Sequence, residues 1–308
     1  MCDTFNRLFP VWAIIVALCA YMLPEWFTAI KGAVQPLLML IMFVMGLTLS
    51  RSDVTGIVKS PKALMLGLVL HYTVMPVAAL LIARLLHLPE DITVGMLLVG
   101  AVASGTASNV MTWISGGDVA LAVSLAITST VLSAVVTPLI VWLLVGTEVV
   151  VPVWPMLINI AKVVLLPVIA GGVVHQWLGQ RRIATYEPLL ASIAVASILT
   201  IIAIVVASSV DRIAVLGPIV ALGVVLHNGV GLLGGYWGGR ALRLEESKCR
   251  ALAFEVGMQN SALAVSLATH FFSAGAALPG ALFSVWHNMS GALLAGYWKR
   301  RRGGENKS

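Results

Sequence analysis

The sequence predicts an all-α protein that crosses a membrane about ten times. Three observations support this fold class: 59% of the 308 residues are hydrophobic, only 10% are charged, and the mean hydropathy is +0.99. Soluble domains carry about a quarter charged residues, so this chain has too few charges to cover a surface in contact with water. Long apolar segments also recur from one end of the chain to the other, which is typical of a polytopic membrane protein.

The remaining composition excludes several other classes of protein. The net charge of +6 does not indicate nucleic-acid binding, because the basic residues fall in short connectors between apolar segments. Cys2, Cys19 and Cys249 lack the paired spacing of a disulfide framework or a zinc site. The apolar run after Arg7 resembles a signal peptide, but no small-residue cleavage site leads into a soluble domain, so we interpret it as the first span.

Ten apolar runs are long enough to be spans, since a spanning helix needs about 20 mostly apolar residues. Charged residues, Pro and Gly delimit the predicted spans near residues 10–23, 33–50, 63–86, 92–115, 118–145, 153–178, 188–208, 213–239, 249–270 and 277–298. Small and polar residues interrupt the fourth and ninth of these segments. We therefore expect those two spans to differ from ordinary continuous helices.

The connector charges predict the orientation of the chain. If both termini are cytoplasmic, nearly all of the 19 Lys and Arg residues fall on the inner side, and only Lys31, Arg84 and Arg212 fall on the outer side. The inner group is Arg7, Arg51, Lys59, Lys62, Arg181, Arg182, Arg240, Arg243, Lys248, Arg250, Lys299, Arg300, Arg301, Arg302 and Lys307. Lys162 falls within the sixth span, and we interpret it as a side chain that extends to an interface. If the protein were instead a receptor of seven or eight spans, this asymmetric distribution of basic residues would be accidental.

The two halves of the chain carry short matches in the same order. The matched segments are 9–10 with 154–155, 34–38 with 186–190, and 70–71 with 226–227. Each half would contain five spans, and because this number is odd, the second half must insert in the opposite direction. The sequence thus predicts two inverted repeats, residues 1–150 and 151–308, with a binding site near the membrane midplane between them.

The two interrupted spans carry related polar motifs, Ala103–Asn109 in the fourth and Glu255–Ser261 in the ninth. A Gly among polar side chains in mid-span allows a helix to unwind, which is tolerated only where the break is buried or lines a cavity. Unwound carbonyl groups suit Na⁺, and the N-termini of half-helices suit an anion. We assign Ser104 and Ala107 to close helix packing. The residues that we assign to a binding site are Ser108, Asn109, Gln259 and Asn260.

Glu255 is the one carboxylate that we place well inside a span. A buried charge there costs about 3 kcal/mol, so it needs a partner. Within its own span, the basic residue nearest to Glu255 is Arg250, at the start of the span. A bound cation is the natural partner, and Gln259, one turn away, would supply a further oxygen ligand. A protonated, hydrogen-bonded Glu255 remains the alternative.

Four motifs resemble those of the bile acid:sodium symporter family, in particular its bacterial members. They are Gly105–Asn109, Gly117–Leu121, Glu255–Ser261 and Trp286–Asn288, and the resemblance extends over nearly the whole chain. It implies Na⁺-coupled symport of bile acids or smaller carboxylates across a bacterial cytoplasmic membrane. It also implies a panel domain of spans 1, 2, 6 and 7 and a core domain of spans 3–5 and 8–10, in which the broken fourth and ninth spans cross.

The resemblance further implies two sodium sites that share Glu255. The first would use Ser108 and Asn109 with hydroxyl groups from the fifth span. The second would use Gln259, the carbonyl groups of Val256 and Met258, and a third-span side chain, His71. Na⁺ is here a coupling ion, and no resident cofactor is implied. The implied substrate contacts are Thr106, Asn260, His287 and Asn288.

Two departures from the family pattern concern these sodium sites. Ala122 and Ala126 stand where the resemblance leads us to expect fifth-span hydroxyl groups, and Ser124, Thr128 or Ser129 are the candidates to replace them. His71 stands where family members often carry Gln, and an imidazole would make the second site sensitive to pH. A proton-coupled carrier that uses Glu255 and His71 is therefore the alternative function. The spans contain no two-His metal pair and no paired catalytic carboxylates, so we do not expect an enzyme.

Overall fold

The computed structural model describes residues 8–49 and 60–305, which fold almost entirely into helices. Arg7, Arg51, Lys59 and Lys307, which contribute to the predicted orientation, lie outside these residues. In chain order the helices are α1 (Phe9–Met22), α2 (Pro24–Thr28), α3 (Val34–Thr48), α4 (Pro61–Leu85), α5 (Glu90–Ala101), α6 (Ala107–Ser115), α7 (Val119–Val145), α8 (Val153–Leu178), α9 (Gln180–Ala207), α10 (Val210–Ala241), α11 (Glu246–Gly257), α12 (Ser261–Phe271) and α13 (Ala274–Glu305).

Six of the described helices are long and apolar enough to cross a membrane: α3 with the turn before it, α4, α7, α8, α9 and α10. α12 and most of α1 are shorter apolar helices. The chain is thus an all-helical polytopic membrane protein. The two segments with polar motifs are each divided into two shorter helices, α5 and α6 in one case and α11 and α12 in the other.

One helix begins earlier than the sequence predicted. The prediction placed Arg181 and Arg182 in a connector and began the seventh span at Pro188, whereas α9 begins at Gln180 and contains Pro188. An interior Pro removes only one hydrogen bond of a helix that is 28 residues long. The two Arg side chains are exposed at the end of the helix, where they can remain in water while the backbone stays helical.

Two long helices contain a π-helical turn, at Leu70–Val74 in α4 and at Ala161–Leu165 in α8. In each case a proline, Pro76 or Pro167, follows two residues after the turn. A proline ring clashes with the carbonyl group four residues earlier and donates no hydrogen bond, so a wider turn accommodates it. The two turns contain His71 and Lys162, which are polar residues within apolar helices.

The helices can be divided into two sets, which also contact each other through α7 on α8 and α9 on α13. α1, α3, α8 and α9 pack against one another, with α9 on α1 and α3, and α3 on α8. α4–α7 and α10–α13 form the other set, in which α10 packs on α4 and α11, and α13 packs on α5 and α12. In this second set, Gly231 and Gly239 of α10 face α11. A Cβ atom on Gly231 would lie 2.6 Å from the Gly257 Cα, so this contact fixes the end of α11 that carries Glu255.

Gly171 allows α8 to approach α3 closely, since a Cβ atom on it would lie 2.8 Å from the Leu47 backbone nitrogen and 2.9 Å from the Gly46 carbonyl carbon. We expect Gly171→Ala to destabilise the protein by about 1–3 kcal/mol, as overpacking does. Gly172→Ala is the matched control, because the nearest atom to its Cβ would be 4.0 Å away. Thermal unfolding in detergent should show a lower melting temperature for the first variant only, and equal shifts would contradict the close contact.

Candidate cation-binding site

The two interrupted helices meet at their breaks and hydrogen-bond to each other. The Gly105 N–H donates to the Met258 carbonyl at 2.8 Å, and the Asn260 N–H donates to the Ala103 carbonyl at 2.8 Å. Ser104 and Gln259 are thereby paired as in an antiparallel β-bridge. The unwound residues thus satisfy part of their backbone hydrogen bonding without water, as a break at membrane depth requires.

Four helix ends converge on this crossing. α5 and α11 end there with their carbonyl groups, and α6 and α12 begin there with their N–H groups. The Asn260 side chain caps α12 by accepting from the Leu263 N–H at 3.1 Å, and the Thr137 hydroxyl donates to the Ala101 carbonyl at 2.7 Å. Helix C-termini carry partial negative charge and N-termini partial positive charge, so the crossing offers places for both a cation and an anion.

Glu255 lies in the last turn of α11 and is 1% exposed. The Ser104 hydroxyl donates to its Oε2 at 2.6 Å, and the Ser108 hydroxyl donates to its Oε1. Among the described residues, no Lys or Arg forms an ion pair with it. The partial negative charge of the α11 C-terminus adds to that of the carboxylate, so the local electrostatics favour a cation.

Two amide oxygens near the crossing lack a hydrogen-bond partner within the described part of the chain. Gln259 is fully buried, and its Oε1 accepts no hydrogen bond, while its Nε2 donates to the Val256 carbonyl at 2.9 Å. The Asn109 Oδ1 is also buried and unpaired. A buried oxygen without a donor is unfavourable, and a bound cation would satisfy it. The set of carboxylate, amide and carbonyl oxygens therefore fits a hard cation such as Na⁺.

A narrow gap lies beside Glu255, between the crossing, α4 and α7. Its lining residues are Gly67, Leu68, His71, Ser104, Leu125, Ser129 and Glu255. The His71 Nε2 lies 2.7 Å from the Val102 carbonyl, to which it can donate. The Ser129 hydroxyl accepts from the Ser104 N–H at 3.2 Å and so links α7 to the crossing. His71 thus reaches the crossing from α4 and Ser129 from α7.

The other two fifth-span candidates do not line this gap. The Ser124 hydroxyl donates to the Ala120 carbonyl and the Thr128 hydroxyl to the Ser124 carbonyl, each at 2.7 Å within α7. The assignment of Ser124 and Thr128 as ligands therefore stays a prediction. Ser129 is the one of the three candidates that lines the gap.

Ser129→Ala tests which α7 hydroxyl serves the site. We expect it to raise the Na⁺ concentration at half-saturation about fivefold, because one hydrogen bond contributes about 1 kcal/mol. Ser124→Ala, the same change five residues earlier in α7, should alter this concentration less than about twofold. Na⁺-induced stabilisation against heat in detergent measures both. A larger effect of Ser124→Ala would assign the ligand to that residue instead.

The candidate substrate contacts lie in two places. Thr106 and Asn260 immediately precede α6 and α12 at the crossing, and the Asn260 Nδ2 lies 3.8 Å from the Met42 Sδ of α3. His287 and Asn288 lie on α13, where the buried His287 Nδ1 has no partner among the described residues and the Asn288 Nδ2 donates to the Ser284 carbonyl at 2.8 Å. No hydrogen bond in the described part of the chain joins the two groups.

The comparison with known proteins decides the family. Residues 35–216 match the Sodium Bile acid symporter family. The chain belongs to this family. This confirms the resemblance that the sequence motifs indicated, and it makes the protein a membrane transporter rather than an enzyme.

Curated relatives of this symporter-family member cover most of its length. The chain is 39% identical over 296 residues to the uncharacterized sodium-dependent transporter YocS of Bacillus subtilis, an alignment that covers 96% of this chain and 92% of the relative. It is 36% identical over 302 residues to the probable sodium/metabolite cotransporter BASS1, chloroplastic, of Arabidopsis thaliana, which covers 97% of this chain and 75% of the relative. The BASS1 protein of Oryza sativa is 35% identical over 293 residues, with 94% and 72% covered.

Sequence reasoning missed two polar residues of this candidate site. Ser104 was assigned to helix packing, whereas its hydroxyl donates to Glu255. Asn228 was not singled out, although its Nδ2 donates to the Gly257 carbonyl at 2.8 Å and its Oδ1 accepts from the Ser290 hydroxyl at 2.7 Å. The available signal for Asn228 was a carboxamide in the middle of an apolar helix, where a polar group requires a buried partner.

Proposed function

We propose that this protein is a secondary active transporter that takes up organic anions by Na⁺-coupled symport. The observation that carries the proposal is Glu255, a buried carboxylate without a basic partner in the described part of the chain, at the same crossing as the unpaired Gln259 Oε1. The printed names of the relatives, "sodium-dependent transporter" and "sodium/metabolite cotransporter", support sodium as the coupling ion.

The proposed architecture has ten spans in two inverted repeats, residues 1–150 and 151–308. The division of both the fourth and the ninth predicted spans into half-helices supports this symmetry, since each would occupy the same position in its repeat. Both termini are proposed to be cytoplasmic, in a bacterial cytoplasmic membrane, because this orientation puts most basic connector residues inside.

The two packed sets of helices fit the proposed panel and core domains. The panel would be α1, α3, α8 and α9, and the core would be α4–α7 and α10–α13, which contains the whole crossing. Substrate would bind between them, where Asn260 approaches Met42 of the panel helix α3. In alternating access the core would move relative to the panel and expose this region first to one side of the membrane and then to the other.

Two sodium sites are proposed, both of which use the Glu255 carboxylate. One would take Ser108 and Asn109 with a hydroxyl group from α7. The other would take Gln259, His71 and the carbonyl groups of Val256 and Met258. Ions at these sites would hold the two breaks together and make the N-termini of α6 and α12 available to an anion, with Thr106, Asn260, His287 and Asn288 as contacts. Each charge that crosses 100 mV contributes about 2.3 kcal/mol to accumulation.

The test is uptake into proteoliposomes at fixed pH. One set of vesicles has an inward Na⁺ gradient, and in the other set choline replaces Na⁺. Labelled pantoate and cholate serve as small and large anionic probes, and ²²Na⁺ entry is followed in parallel. We expect anion uptake to require Na⁺, and Na⁺ entry to rise when a transported anion is present. Equal uptake of a transported anion in Na⁺ and choline would contradict sodium coupling.

Proton coupling through Glu255 and His71 is the second candidate, and one observation favours it: both side chains line the same narrow gap. It predicts anion uptake that follows an inward proton gradient and does not change when choline replaces Na⁺. Imposing the proton gradient in Na⁺-free medium, in the same vesicles, distinguishes the two functions.

A further inference from the structure

A second cleft lies away from the crossing, between the first half of α8 and the end of α12. The cleft has a volume of about 350 Å³, and its lining includes Trp154, Ile158, Asn159, Lys162, His270 and Phe271. It therefore combines three polar side chains with apolar and aromatic walls. α12 leads directly from this cleft to the crossing, since it begins at Ser261, beside the paired breaks, and ends at Phe271.

Lys162 has no counter-charge in the part of the chain that the structure describes. The ion pairs there use Arg84, Arg212, Arg240 and Arg250. Lys162 lies nine residues after the start of α8, about 14 Å along the helix at 1.5 Å per residue. An ionisable residue at such depth in an apolar helix indicates a functional site. The interpretation that Lys162 only extends to an interface does not account for its position on a cleft.

Each polar side chain on the cleft carries at least one hydrogen-bond donor. Asn159 lies one turn before Lys162, on the same face of α8. Its Oδ1 is buried and has no hydrogen-bond partner among the described residues. His270, at the end of α12, is exposed and adds an imidazole. The lining includes no carboxylate, so the charge of Lys162 has no acidic neighbour there and would attract an anion.

The backbone at Lys162 is also unusual, because the residue belongs to the π-helical turn Ala161–Leu165. Such turns rotate the following side chains relative to a regular helix and occur frequently at functional sites. The apolar walls Trp154, Ile158 and Phe271 would accommodate the hydrocarbon part of a ligand. The cleft volume lies near the lower end of the range for small-molecule sites, which starts at about 300 Å³.

We propose that this cleft is a capture site for the carboxylate of a small organic anion, with Lys162 as its specificity-determining residue. The inference rests on the proposed function in that the captured anion is the transported one. In the proposed orientation, the cleft opens to the outer side, and α12 forms a path from it to the crossing. Lys162 attracts and orients the anion before the Na⁺-dependent step, so binding at the cleft does not itself require Na⁺.

The experiment measures anion binding to the purified protein in Na⁺-free choline buffer, by the shift in melting temperature. Benzoate and pantoate are the charged probes, and benzamide and pantolactone are their neutral counterparts. We expect Lys162→Met to raise the half-saturating concentration of a bound carboxylate about tenfold, and Lys162→Arg to retain it within about threefold. Neutral probes should respond equally in all variants. Lys31→Met is the matched control, because Lys31 is also exposed and is assigned to the same side of the membrane.

Three results would overturn the capture site: no stabilisation of the wild type by either carboxylate, an unchanged half-saturating concentration in Lys162→Met, or an equal loss for the neutral probes. Because Na⁺ is absent, the outcome is independent of sodium coupling. If uptake in proteoliposomes proved independent of Na⁺ while Lys162→Met still weakened carboxylate binding, the proposed coupling would fail and the capture site would stand.

Discussion

Glu255→Gln is expected to abolish Na⁺-dependent uptake. The substitution keeps the size of the side chain but removes the only charge that the described structure provides at the crossing. The loss of a buried charge that pairs with a cation costs about 3 kcal/mol or more, so the affinity for Na⁺ should fall at least about a hundredfold. Uptake in proteoliposomes, titrated with Na⁺ up to the highest concentration that the vesicles tolerate, measures this change.

Glu245→Gln is the matched control for this substitution. Glu245 immediately precedes the same helix, α11, but it is exposed at the opposite end of that helix from the crossing. The same loss of one carboxylate there should leave the Na⁺ dependence within about twofold of the wild type. Because Ser104 and Ser108 can still hydrogen-bond to an amide, Glu255→Gln should fold. Retention of its Na⁺-dependent uptake would show that the coupling ion binds elsewhere.

Gly105→Ala is expected to cause the second large loss, through the backbone of the crossing rather than through its charge. A Cβ atom at this position would lie 2.8 Å from the Gln259 carbonyl oxygen and 3.2 Å from its carbonyl carbon. These neighbours are backbone atoms, and the bond from the Gly105 N–H to the Met258 carbonyl holds the two segments at this separation. The segments must move apart, which displaces Gln259 and weakens Na⁺ binding. We expect uptake to fall about fivefold or more, as for a strain of about 1–3 kcal/mol.

Gly229→Ala controls for the chemical change itself, since nothing lies within 4 Å of a Cβ atom at that position on α10. It should retain uptake and fold at least as well as the wild type, because Ala favours a helix over Gly by about 1 kcal/mol. Circular dichroism and gel filtration establish that both variants fold. Wild-type uptake by a folded Gly105→Ala variant would contradict the close pairing of the two breaks.

The sequence predicted the helical membrane fold and the location of the breaks because those features depend on local composition. Hydropathy determines which segments enter a bilayer, and a Gly among polar residues, as at Gly105 and Gly257, marks where a helix can unwind. Glu255 was recognisable for the same reason, since a carboxylate in an apolar segment stands out without knowledge of its neighbours.

The partners of Glu255 were not predictable in the same way. Ser104 and Ser108 belong to the same break and look equivalent in the sequence. The antiparallel pairing of Ser104 with Gln259 brings the Ser104 hydroxyl within hydrogen-bonding distance of the Glu255 carboxylate. Similarly, Ser124, Thr128 and Ser129 differ in the face of α7 that they occupy, and the rotation of α7 against the crossing decides which of them lines the gap. Such contacts depend on tertiary packing, which sequence periodicity alone does not specify.

Asn228 and Lys162 illustrate the same limit. Asn228 acts on the end of α11 because Gly231 and Gly239 allow α10 to approach that helix, a contact between residues distant in the chain. Lys162 lies on a cleft whose other wall is the end of α12, so the sequence of α8 alone indicates only a basic residue in an apolar helix. In both cases the polar residue was visible in the sequence, while its neighbours were not.

The most direct test of the central claim is a structure of the protein determined with Tl⁺ in place of Na⁺, because the anomalous scattering of Tl⁺ locates a bound monovalent cation. Binding at the crossing predicts a peak in contact with the Glu255 carboxylate and the Gln259 Oε1, which is lost in Glu255→Gln crystals and weakened by competing Na⁺. Cation density that is confined to other parts of the protein, together with a Glu255 carboxylate that still contacts only Ser104 and Ser108, would contradict the account.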